Sequence, residues 1–153
     1  MNPFVRTFRM LFKGTVDLPN PSDWVRTDAI TIQGAKVTID FSKLNVPLDQ
    51  DPVVNYSDIK ATKSMLPVFG SRHNNILLKG ANPNDQGAIL NYIKPGDIIV
   101  AASTRGKIVH RVDKVGHDNQ GRYFKTRGDN VYKRDPEVFR DSHVLWVCPG
   151  TFY

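Results

Sequence analysis

Ten prolines and eleven glycines break up these 153 residues, and of fifteen acidic side chains only Glu137 is a glutamate. Proline removes a backbone donor that a helix interior or a central strand needs. Aspartate bonds its own neighbouring backbone and so favours turns and caps. A chain punctuated this way has little room for long helices, which excludes a helical bundle. What lies between the breaks is short and β-patterned. Residues 29–32 and 36–41 alternate apolar and polar side chains around Gln33-Gly34, the pattern of a hairpin. Further strands are expected over 76–78, 97–102, 107–115, 122–126 and 143–148, with a short element over 53–59. Thr104-Arg105-Gly106 and His117-Asp118-Asn119-Gln120-Gly121 supply tight connections. The expected fold is mostly β, with orthogonal or barrel-like sheets.

One segment is read differently. Asn2 can cap a helix, Pro3 suits its first position and Gly14 its end. Between them Phe4, Phe8, Leu11 and Phe12 recur at helical spacing, with Arg6, Arg9 and Lys13 on another side. A short basic amphipathic helix is therefore expected. It either covers the protein's own sheet or uses residues 3–13 to rest on a membrane surface or protein partner. No apolar run approaches the roughly 20 residues of a membrane span, and Arg6 and Arg9 interrupt any secretory signal. The expectation is a soluble or peripherally attached chain.

The charge is uneven. Residues 1–60 carry seven Lys/Arg and seven Asp, whereas residues 61–153 carry fourteen Lys/Arg against eight acids and hold the whole net charge of +6. The basic residues are scattered among aspartates rather than clustered, so nucleic-acid binding is not expected. The single Cys148 excludes a disulfide framework and a Cys-rich zinc site, and reads as a buried, inert thiol. His73, His110, His117 and His143 lack the usual ligand spacing, so neither a metal nor a cofactor is expected.

Four short stretches carry the candidate chemistry: Ser64-Met65-Leu66-Pro67, Gly96-Asp97-Ile98-Ile99-Val100, His110-Arg111-Val112 and Thr126-Arg127-Gly128-Asp129-Asn130. Each alone is ordinary: a loop serine, a turn into a buried strand, a histidine sharing a strand face with Ile108 and Val112, and a turn. In this order they resemble the boxes of the type I signal peptidase family, serine peptidases that share a fold with self-cleaving phage-type repressors. Histidine rather than lysine before Arg111 resembles the archaeal and endoplasmic-reticulum branch. The resemblance covers residues 62–135, about half of the chain.

The resemblance implies a signal-peptidase-like catalytic domain over 61–153, with residues 1–60 as an extension packed against it. It implies Ser64 as nucleophile and His110 as general base. A serine hydroxyl needs such a base within hydrogen-bond reach, and imidazole titrates near neutral pH. A carboxylate on the far ring nitrogen completes a triad. Asp129 is the first candidate for it and Asp135 the second. The Ser64 backbone N–H and the Thr62 hydroxyl are the implied oxyanion donors. Three features depart from the family, one of them the closing stretch Leu145-Trp146-Val147-Cys148-Pro149-Gly150, which differs from the usual glycine-containing strand. Lys63 stands where glycine is usual, and residues 1–60 stand where a transmembrane helix normally precedes the serine. The implied activity is endoproteolysis of an extended peptide after small residues, without a cofactor. The alternative is a non-catalytic structural or interaction module, such as a viral particle component, that retains the fold.

Overall fold

The computed structural model describes residues 5–9, 16–17, 30–33, 36–58, 64–65 and 74–152. Eleven strands and one α-helix lie among them, and the fold is mostly β. Strands β1 (Val5–Arg9), β3 (Ile30–Gln33) and β4 (Lys36–Asp40) form one antiparallel sheet in the order β1-β4-β3. The larger sheet contains β5 (Val53–Asp58), β6 (Asn74–Lys79), β7 (Ile98–Ser103), β8 (Gly106–Asp118), β9 (Gly121–Arg127), β10 (Phe139–Arg140) and β11 (Val144–Phe152). Its order is β10-β9-β8-β7-β11-β6-β5, and β2 (Val16–Asp17) pairs with the end of β11.

The first correction concerns the amino-terminal helix. Residues 5–9 are a strand, running from Val5 opposite Asp40 to Arg9 opposite Lys36. An isolated helix of this length is marginal in water. The hairpin of β3 and β4 offers an unpaired edge whose backbone groups need partners. Five consecutive residue pairs form against that edge, and the period of 3.6 that defined an apolar stripe no longer applies. Residues 2–4 and 10–14 of the expected helix lie outside the described residues.

The α-helix among the described residues, α1 (Pro83–Tyr92), has little apolar periodicity but a well-formed start. Asn82 accepts a hydrogen bond from the Asp85 N–H at 2.9 Å, and Pro83 takes the first turn. Asp85 is buried, and its carboxylate accepts from the backbone N–H groups of Asp49 and Gln50 and from the Asn82 side chain. That satisfaction makes its burial tolerable and ties the 49–50 loop to the helix.

Two apolar clusters sandwich the central strands. One joins Ile89 and Leu90 of α1, and Ile93 at its C-terminal cap, with Ile76, Leu78, Ile99, Phe124 and Val147, and includes Ile39, Phe41 and Val46. The other gathers Met65, Leu77, Ile98, Val100 and Cys148. Because neighbouring strand residues point to opposite faces, covering both faces requires a continuous apolar run. The Ile98-Ile99-Val100-Ala101 stretch, buried at every position, is that run.

The boundary near residue 60, just before Ser64, separates two parts of the sequence that the sheet does not. β5 lies before residue 60, yet it pairs with β6 along its whole length, from Val53 opposite Lys79 to Asp58 opposite Asn74. Ile39, Phe41 and Val46 also belong to the main core. Among the described residues, no helix is long and apolar enough to cross a membrane.

Candidate active site

β8 is the element that positions the site. It pairs with β7, placing Ile99 opposite His110 and Ile98 opposite Arg111. On its other side it pairs with β9, placing Arg127 opposite Arg111 and Thr126 opposite Val112, before the register shifts between Val112 and Lys114. His110 and Arg111 are consecutive and so face opposite sides of the sheet. Each meets its own carboxylate there.

On one face, His110 Nδ1 lies 2.6 Å from Asp135 Oδ2 and Nε2 lies 3.2 Å from Ser64 Oγ. An ionised carboxylate only accepts, so Nδ1 carries the proton and Nε2 presents its lone pair to the serine hydroxyl. Asp135 is itself held twice by β9. The buried Thr126 donates its hydroxyl to Oδ2 at 2.5 Å, and the Asp135 N–H donates to the Thr126 carbonyl at 2.8 Å. The His110 and Asp135 side chains are only 14% and 19% exposed, which limits competition from water for their hydrogen bond.

On the other face, Arg111 grips Asp129 with both ends of its guanidinium. Nε and one terminal nitrogen donate to the two carboxylate oxygens at 2.7 Å each, and the other terminal nitrogen donates to the Gly96 carbonyl at 2.6 Å. Of the two candidate carboxylates, the first, Asp129, is therefore not the one on the His110 ring. Asp129 belongs to Arg111, and Asp135 is the carboxylate on His110. The physical cause is the strand's alternation: two neighbouring side chains diverge, and the bidentate guanidinium takes the acid on its side.

Ser64 is seated against the turn that follows β9. Its carbonyl accepts from the Asn130 N–H at 2.7 Å, and the buried Met65 sulfur accepts from the Asp129 N–H at 3.4 Å. Gly128 makes this approach possible. A Cβ there would lie 2.6 Å from the Ser64 carbonyl oxygen, 3.0 Å from Ser64 Cβ and 3.1 Å from His110 Nε2. Steric room next to Ser64, rather than an unusual backbone angle, is why this position holds glycine. In the sequence Gly128 looked like an ordinary turn residue, and nothing there distinguished Thr126 as a second donor to Asp135.

The turn before β7 completes the frame. Gly96 has φ 100°, a region side chains rarely tolerate. Its N–H donates to the Val112 carbonyl at 2.6 Å, while the Val112 N–H donates to the Asp97 carbonyl at 2.7 Å. Members of all four sequence boxes are thus connected by direct hydrogen bonds. Thr62, Lys63 and Pro67 lie outside the described residues.

The arrangement is that of a hydroxyl, an imidazole and a carboxylate in hydrogen-bonded series. Comparison with family models, with curated proteins and with solved structures finds no match.

Proposed function

We propose that this chain is a serine endopeptidase related in design to the histidine branch of the type I signal peptidases. The observation that supports it is the series Ser64 Oγ, His110 Nε2, His110 Nδ1, Asp135 Oδ2, with separations of 3.2 and 2.6 Å. As Ser64 Oγ attacks a peptide carbonyl carbon, its proton passes to His110 Nε2. Asp135 stabilises the resulting imidazolium without taking the proton. Collapse of the tetrahedral intermediate breaks the C–N bond, and Nε2 returns the proton to the leaving amine. Water then repeats the sequence on the acyl-serine, releasing the acid and restoring Ser64. The Ser64 N–H and the Thr62 hydroxyl are the proposed donors to the developing oxyanion, each worth about 3 kcal/mol when well aimed. The substrate is an extended peptide with a small residue before the cut.

The test is cleavage of a quenched peptide library carrying small residues at successive positions. Ser64→Ala and His110→Ala are each expected to lower kcat by about 10⁴-fold or more, since members of such a series act as a unit. Equal cleavage by the parent and Ser64→Ala would overturn the assignment. A parent that cleaves nothing would leave the fold as a non-catalytic interaction module.

A further inference from the structure

A cleft of about 270 Å³ opens beside the imidazole, bordered by His110 and Asp135 but not by Ser64. Ile108, Pro136 and Phe139 give it an apolar lining. Its volume falls just below the roughly 300–1,000 Å³ of clefts that hold whole small molecules, which suits a single side chain. Besides Asp135, the charged residues Glu137 and Arg105 line it, and neither makes the cleft an ion site. Both carboxylate oxygens of Glu137 lie 3.3 Å from the Thr104 N–H, and the Thr104 hydroxyl also donates to Glu137. That carboxylate is committed to the turn between β7 and β8. Arg105 is exposed on the same turn, where its stem can cover an apolar occupant while its head stays in water.

The position of the cleft decides which part of a peptide reaches it. His110 receives the serine proton and delivers it to the leaving amine, so the chain following the cut passes the imidazole. We infer that this cleft is a specificity pocket for a large apolar side chain, of leucine to phenylalanine size, on one of the two residues after the cut. The inference rests on the peptidase reading of Ser64 and His110, and it adds a requirement that the small residue before the cut does not supply. Burying such a side chain should raise kcat/KM about ten- to hundredfold over alanine at the same position.

The experiment profiles the parent chain with a quenched peptide library varied at both positions after the cut. Ile108→Trp and Ser103→Phe, which each enlarge a side chain lining the cleft, are profiled alongside, with thermal unfolding to establish that at least one is folded. A preference for Leu, Met or Phe after the cut, collapsing toward equality with Ala in the folded variant, supports the pocket. A flat parent profile, a preference confined to residues before the cut, or an unchanged ratio in the folded variants overturns it. In those cases Ser64-dependent cleavage leaves the peptidase reading standing. Absence of any Ser64-dependent cleavage overturns both.

Discussion

Asp135 and Asp129 are six positions apart and lie on opposite faces of β8's pairing, so their amides should behave differently. Asp135→Asn replaces the carboxylate that meets His110 Nδ1, and on the proposed peptidase function kcat should fall by about 10³–10⁴-fold with little change in folding. Asp129→Asn leaves the His110 series in place but withdraws the charge partner of Arg111, which is only 23% exposed. Its expected signature is a loss of about 1.5–3 kcal/mol in stability, with a much smaller fall in kcat. Steady-state kinetics and denaturant midpoints on the two variants separate these outcomes; similar kcat losses would return Asp129 to the catalytic series. At this scale the sequence pointed to Ser64 and His110, which the structure brings within 3.2 Å of each other, and left two acids in contention. Neither spacing nor type distinguishes Asp129 from Asp135, because the choice depends on which face of β8 each loop residue reaches. The same holds for Gly128, whose need for glycine comes from Ser64, a residue 64 positions earlier.

Among the elements, β11 has the most consequential placement, lying between β7 and β6 with β2 along its end. Cys148 sits on it fully buried, its thiol donating to the Gly150 carbonyl at 3.4 Å. Burial pushes the thiol up to about 12, against about 8.5 in an unfolded chain. The folded state therefore keeps its proton where the unfolded state loses it. The stability this contributes is complete below about pH 8.5 and is lost as the pH rises toward 12. At pH 8 iodoacetamide should leave the folded protein unlabelled and modify Cys148 once denaturant opens the sheet. Rapid labelling of folded protein would mean that β11 opens locally. Strand positions were readable because alternation and turn residues act over a few neighbours. The short helix expected at residues 2–14 and the absence of any expectation for α1 have a common cause. Residues 5–9 take their conformation from the edge of β4, and α1 is held by its cap and by Asp85 contacts to a loop some 35 residues away.

At the scale of the whole molecule, the core crosses the boundary that charge and motifs suggested near residue 60. Phe41 is 6% exposed and packs in the cluster that contains Ile89 and Phe124. Phe41→Ala should cost about 3–5 kcal/mol and move a single cooperative transition to lower denaturant. Tryptophan fluorescence and far-UV circular dichroism should report the same midpoint. An early separate step confined to the variant would show that residues 36–46 form an independent unit.

By itself the sequence determined a β-rich chain and the approximate strands of the larger sheet, and singled out Ser64 and His110 as candidates, because each is written in local periodicity or in a short ordered motif. Only the tertiary structure decided that residues 5–9 are a strand, that Asp135 and not Asp129 meets His110, and that Gly128 must be small. Each of these depends on which distant backbone supplies a hydrogen-bonding edge or fills the space beside a side chain, and no local window of sequence contains that partner.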